Sequence, residues 1–400
     1  MIRVLLADKL AALTAGHLQD LGASVTTEPA LRDDALIARL RELDPAVLVV
    51  RSTKVTAAHI DAARSLSLVI RAGAGVNTID LAAASARGVY VANCPGKNAA
   101  AVAELTIGHL VNLDRRIADN VAMLREGQWD KKGFGGAPGL KGRTLAVLGC
   151  GTIGQEVIRR ARAFGMTIRA WSRSLAPDQA EALGVLYAAS PEEAVRDADA
   201  VTVHLALTPE TRARIGESIF EAMKPGAYFI NTSRGAVVDQ EALMRALDER
   251  DLRAGLDVFD DEPRAAGPWD AAIAKHSHVY GTHHIGASTQ EASEAVGEEV
   301  VRIVDAYRRG EVIPNCVNLA QETEATHTLV VRHRDEVGVL ARVLDVLGEA
   351  SINVQEMSNI VFSGGEAACA RIELAEAPNA ATLAKINEGA AIYDAAVTAH

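Results

Sequence analysis

The segment Gly149-Cys150-Gly151-Thr152-Ile153-Gly154 constrains this chain more than any other. It follows the β-prone run Thr144-Leu145-Ala146-Val147-Leu148 and opens a helical stretch over residues 155–164. Glycines at that spacing permit a tight strand-to-helix turn and a close backbone approach, so the unpaired amides of the helix N-terminus face a pyrophosphate. The hexapeptide is weak evidence when bare, and here the strand before it and the helix after it supply the setting it needs. A dinucleotide is therefore expected, held by Gly149, Gly151 and Gly154. A carboxylate for the ribose of NAD is expected about 20 residues on, yet the next strand ends Trp171-Ser172-Arg173-Ser174. Ser172 removes the charge that repels a 2′-phosphate, and Arg173 offers a guanidinium to bind one. The cofactor is NAD(H) or NADP(H), leaning to NADP(H); in the other reading Arg173 stacks on adenine or points to solvent.

Around this turn the chain alternates short strands with helices, the rhythm of parallel α/β sheets. One series occupies residues 2–7, 25–27 and 46–51, and a second runs through 144–148, 167–171, 200–205, 228–231 and 255–258. These predict two doubly wound α/β domains, one flavodoxin-like and one Rossmann. A long connecting helix is predicted over 98–127 and another over 288–309, ended by Gly310. If both link the same two domains, residues 1–98, completed by 288–320, form one domain and 99–287 the other, hinged around a cleft. Residues 326–400 read as β-α-β-β-α-β, a separate ferredoxin-like domain.

Composition excludes other classes. Apolar residues at 49% and charged residues at 23% suit a chain with large buried cores, and a net charge of −11 argues against a nucleic-acid surface. Arg3, Asp8 and Lys9 interrupt any leader-like apolar core, and no apolar run reaches the ~18 residues of a membrane span. Cys94, Cys150, Cys316 and Cys369 lie far apart without paired spacing, so neither a metal site nor a disulfide framework is expected, and a reducing cytoplasm fits.

Three later segments carry chemistry. Asn231-Thr232-Ser233-Arg234-Gly235, Asp257-Val258-Phe259-Asp260-Asp261-Glu262-Pro263 and Thr282-His283-His284-Ile285-Gly286-Ala287-Ser288-Thr289 each follow a predicted strand. They place an arginine, a carboxylate and a histidine at the carboxyl ends where open α/β sheets build their sites. With the glycine turn, these segments resemble the D-isomer-specific 2-hydroxyacid dehydrogenase family, over about residues 1–320. The resemblance implies a catalytic trio of Arg234, Glu262 and His284. His284 is the acid/base, because an imidazole can exchange a proton with the C2 oxygen near neutral pH. Glu262 orients it, and Arg234 holds the substrate carboxylate. The resemblance also implies cofactor contacts from Ala74, Thr152, Ile153, Thr232, Ser233, Asp257 and Gly286. His283 stands where the family commonly has proline.

Within the family, Arg71-Ala72-Gly73-Ala74-Gly75, Arg51-Ser52-Thr53-Lys54 and Ala103-Glu104-Leu105-Thr106 are closest to the branch that oxidises 3-phosphoglycerate in serine biosynthesis. Arg51, Lys54, Arg71 and Lys131, with the backbone of Gly75 and Val76, are then the expected substrate contacts. A hydroxypyruvate or glyoxylate reductase is the alternative, and a dinucleotide-sensing corepressor a remote one. The C-terminal segment His333-Arg334-Asp335-Glu336-Val337-Gly338, with Ile352-Asn353-Val354, resembles an ACT domain, a module that pairs between subunits and senses amino acids. His333, Asp335 and Asn353 match positions of serine ligands, although Asp335 and Val337 replace the usual asparagine and proline. The module either binds such an effector or only pairs. The expected partners are a small-molecule substrate and further copies of this chain, with neither nucleic acid nor membrane.

Overall fold

The computed structural model describes residues 1–263, 267–320 and 323–400. They form two compact units, Met1–Asn318 and Leu319–His400.

The first unit contains two parallel sheets. Strands β1 (Arg3–Leu6), β2 (Ser24–Thr27), β3 (Val47–Val50), β4 (Leu68–Arg71) and β5 (Tyr90–Asn93) lie in the order β2-β1-β3-β4-β5. This is the flavodoxin-like order expected. Helices cover both faces, so the central strands are apolar throughout: all of Val47-Leu48-Val49-Val50 is buried. Because successive side chains point to opposite faces, Val47 and Val49 enter one core and Leu48 and Val50 the other. Val296, Val300, Ile303 and Val304 of the helix Gln290–Arg309 fill the first of these cores.

Strands β6 (Thr144–Leu148), β7 (Thr167–Trp171), β8 (Leu186–Tyr187), β9 (Ala200–Val203), β10 (Tyr228–Asn231), β11 (Arg253–Leu256) and β12 (Val279–Gly281) build the second sheet, ordered β12-β11-β10-β9-β6-β7-β8. The chain steps outward from β6 in both directions, which opens a crevice at the carboxyl ends of β6 and β9. The glycine turn lies at that point.

The connecting helix predicted over 98–127 is two helices, Ala99–Arg115 and Ile117–Arg125. Arg116 between them is left-handed, at φ 50°. Three contacts hold it there. Its Nε donates to Asp119 Oδ2 at 2.9 Å, Asp119 also accepts from Tyr280 Oη at 2.7 Å, and its guanidinium lies 4.8 Å over the Phe134 ring. Asn112 Oδ1 accepts the Ala118 amide at 2.9 Å and so caps the second helix.

The second unit has strands β13 (His327–Arg334), β14 (Val354–Val361), β15 (Ala367–Leu374) and β16 (Ile392–Ala399), antiparallel in the order β14-β15-β13-β16. Leu329, Val331, Ala370 and Ile372 pack against Val343, Leu347 and Ile386 of its two helices. This is the ferredoxin-like β-α-β-β-α-β arrangement expected. No helix among the described residues is long and apolar enough to cross a membrane.

Candidate active site

Arg234, Glu262 and His284 each follow the end of a strand of the second sheet. After β10, the buried Asn231 folds the chain over itself: its Oδ1 accepts the amide of Ser233 at 3.0 Å and its hydroxyl at 2.7 Å, while its Nδ2 donates to Arg234 O at 3.0 Å. Arg234 leaves this turn with Nη1 on Ser233 O at 2.6 Å. The next residue must be glycine, since a Cβ at Gly235 would stand 2.1 Å from the carbonyl of Phe259. That close approach brings the loop after β10 against the loop after β11, and Arg234 within electrostatic reach of Glu262.

Glu262 is gripped at both oxygens. Oε1 accepts the Phe259 amide at 2.9 Å and Oε2 lies 2.7 Å from His284 Nδ1. Burial works to raise its pKa, but the hydrogen bonds with His284 and Phe259 and the Arg234 charge hold it below the ordinary glutamate value. An ionised carboxylate only accepts, so Nδ1 carries a proton and Nε2 is the nitrogen free for chemistry. His284 itself is left-handed at φ 53°, an unusual state for a non-glycine residue. The buried Asp257 holds it there: Oδ1 accepts the Ile285 amide at 2.8 Å and Oδ2 the Gly286 amide at 2.8 Å. Asp257 thus fixes the loop that carries the histidine.

The first sheet contributes the opposing wall. A Cβ at Gly75 would lie 2.8 Å from Arg234 Nη2, so the loop after β4 lies directly against that guanidinium. The amides of Ala74, Gly75 and Val76 donate to no protein acceptor among the described residues. Arg71 folds over Gly73, and its buried Nε has no hydrogen-bond partner. Burial, then the charges of Arg234 and Arg51, push its pKa down to about 10. Arg51 bonds Ala287 O at 3.1 Å, tying its loop to the segment after His284. Lys54 is exposed on the same loop.

Asp8, which the motif reading passed over, organises that loop. It is 4% exposed, and its Oδ2 accepts the amides of Arg51, Ser52 and Thr53 at 2.7, 3.0 and 2.9 Å. Burial opposes its ionisation, but these bonds prevail and its pKa is lowered. Its signal in the sequence is only an aspartate just past β1.

At the glycine turn Gly149 has φ +105°, and a Cβ there would meet His204 O at 2.5 Å. A Cβ on Gly154 would fall 2.0 Å from Gly149 O, while one on Gly151 would meet nothing within 4 Å. The turn is packed beneath and open above, which fits a phosphate cradle. Thr152 and Ile153 form the first turn of the helix Thr152–Ala163. His204 is a second feature the sequence reading missed. Burial pushes its pKa down to about 3, Nε2 lies 3.0 Å from Thr202 Oγ1, and Nδ1 has no partner. Thr232 and Ser233 are buried beside Arg234, with Thr232 Oγ1 2.9 Å from Thr106 Oγ1. Ala74 O accepts Asn93 Nδ2 at 2.6 Å. Ser172 is half-buried and Arg173 exposed at the end of β7.

Two groups of expected residues are not brought together within one copy. Lys131 is exposed and lines a surface depression with Asn120, Met123, Trp129 and Phe134, whose lining includes none of Arg51, Arg71 and Arg234. In the second unit, pairing of β14 and β13 with β15 sets Asn353 at the His327 end of the sheet and Asp335 at the other. At ~3.3 Å per residue they stand roughly 25 Å apart. His333 is buried, its Nδ1 2.6 Å from Arg334 O and its Nε2 3.2 Å from Asn359 Oδ1.

Comparison with known proteins agrees with this geometry. Residues 107–286 match the NAD-binding domain of D-isomer-specific 2-hydroxyacid dehydrogenases. The chain is 40% identical over 321 residues to D-3-phosphoglycerate dehydrogenase of Methanocaldococcus jannaschii, an alignment covering 80% of this chain and 60% of that protein. It thus spans about 60% of the length of such relatives. It is 39% identical over 290 residues to glyoxylate reductase of Thermococcus litoralis, covering 71% of this chain and 86% of the relative. The solved structure of the TT0316 protein of Thermus thermophilus superposes with a TM-score of 0.70 at 33% identity, covering 79% of this chain and all of that one. The chain belongs to the D-isomer-specific 2-hydroxyacid dehydrogenase family.

Proposed function

We propose that this protein oxidises 3-phosphoglycerate to 3-phosphohydroxypyruvate, the reaction that opens serine biosynthesis. The observation that carries this reading is the crowding of Arg71, Arg51 and Arg234, with a buried Arg71 Nε that lacks an acceptor. A buried cation whose pKa is lowered by two others is short of an anion, and a substrate bearing both carboxylate and phosphate supplies one at each end. Arg234 holds the carboxylate and polarises the C2 oxygen. His284 Nε2 takes the hydroxyl proton, and Glu262 steadies the imidazolium that results. A nicotinamide dinucleotide, which the turn Gly149–Gly154 and Asp257 would hold, would supply the acceptor for the C2 hydride. In the reverse direction His284 returns the proton.

His284→Asn is expected to lower kcat by roughly 100- to 10,000-fold, the ordinary worth of a general acid/base, with dinucleotide affinity retained. A loss below tenfold would remove His284 from the mechanism. The competing reading is reduction of hydroxypyruvate or glyoxylate, favoured by the match to a glyoxylate reductase over most of its length. Parallel assays of 3-phosphoglycerate oxidation and of hydroxypyruvate and glyoxylate reduction decide between them, and absence of turnover with all three supports the corepressor.

The pair Ser172-Arg173 supports a preference for NADP(H), checked by kcat/KM with each dinucleotide. Self-association is supported by the helix Ile117–Arg125, which buries none of its residues and exposes Ile117, Val121 and Leu124. Sedimentation tests it. A serine site using His333, Asp335 and Asn353 together needs two copies, since one copy keeps them at opposite ends of the sheet. Serine that neither inhibits nor raises Tm leaves the second unit as a pairing module.

A further inference from the structure

His109 lies on the helix Ala99–Arg115 and is 5% exposed. No catalytic or cofactor role so far described uses it. Its side chain packs directly on Gly255 of β11: a Cβ at Gly255 would stand 2.8 Å from His109 Cβ and 3.0 Å from both Cγ and Nδ1. A bare glycine two residues before Asp257 therefore makes room for a buried imidazole. Nε2 lies 3.2 Å from Thr282 Oγ1, and Thr282 Oγ1 donates to Asp257 Oδ1 at 2.6 Å.

The direction of this chain follows from proton counting. Thr282 has one hydroxyl proton and commits it to Asp257 Oδ1, so His109 must donate to Thr282 from Nε2–H. The carboxylate so oriented has Oδ1 engaged by Thr282 and the Ile285 amide, and Oδ2 by the Gly286 amide alone. One lone pair of Oδ2 is left for an outside donor. A carboxamide N–H of nicotinamide is such a donor, and the amides that Asp257 grips follow His284 directly.

The geometry points to His109 as a positioning residue: through Thr282 it orients the Asp257 carboxylate that anchors the His284 loop and receives the nicotinamide carboxamide. This rests on the dehydrogenase reading above. The imidazole's place on the interdomain helix, rather than on the site's own loops, is what the motif reading lacked.

The test measures binding, by calorimetry, of NADH and of ADP-ribose, which shares every group except nicotinamide. For His109→Leu we expect NADH to bind about fivefold more weakly, the worth of one net hydrogen bond, with ADP-ribose unchanged. His109→Gln, which restores a donor, is expected to recover most of the loss. Thr282→Val, a smaller change that cuts the middle link, should reproduce the His109→Leu pattern if the leucine variant fails to fold. Equal weakening of both ligands, or no change in either, overturns the inference. Wild-type protein that binds NADH no better than ADP-ribose instead undermines the dehydrogenase reading, and the inference falls with it.

Discussion

At Gly235 the absence of a side chain lets two loops touch, and the approach of Arg234 to Glu262 depends on that contact. Gly235→Ala is expected to cost about 1–3 kcal/mol of stability through overpacking and to lower kcat at least tenfold by parting Arg234 from Glu262. Urea denaturation with steady-state assays checks both. Asp8 offers a pH test. Its folded pKa is depressed, so its stabilisation is present above the unfolded value of about 3.9 and is lost as pH falls through the lower folded value. Asp8→Ala should therefore be less stable than wild type by about 1–3 kcal/mol at neutral pH, with the gap closing below about pH 4. Arg234, Glu262 and His284, which the structure brings together, each stand in a distinctive local motif. Asp8 does not, and was not legible: its partners are backbone amides more than forty residues away, and amides carry no letter in a sequence.

Elements tell the same story with a different failure. The helical periodicity of residues 98–127 was legible, but its break at Arg116 was not, because no glycine or proline marks it. A left-handed arginine persists only where surrounding contacts compensate for it, and here Asp119, Tyr280 and Phe134 do so. Asn112→Ala removes the side-chain acceptor for the second helix, and a loss of about 1 kcal/mol is expected. Hydrogen exchange should quicken across residues 117–125 while the strands of both sheets stay protected.

For the whole molecule, the unit Met1–Asn318 has its own cores on both faces of both sheets. A chain ending at Asn318 is expected to fold and to bind dinucleotide with unchanged affinity, while any response to serine disappears; calorimetry on the two lengths checks this. What the amino-acid sequence determined alone was the class of each sheet, the glycine turn and the residue types of the trio proposed to be catalytic. Strand alternation, helix period and glycine turns are local properties, written within a few residues of one another. Tertiary structure alone decided which charges share a site. It crowded Arg51 and Arg71 with Arg234 and set Lys131 in a depression that none of them lines. It also separated Asn353 from Asp335 and set His109 behind Asp257. Electrostatic and hydrogen-bond energies depend on distance through space, which folding sets independently of distance along the chain.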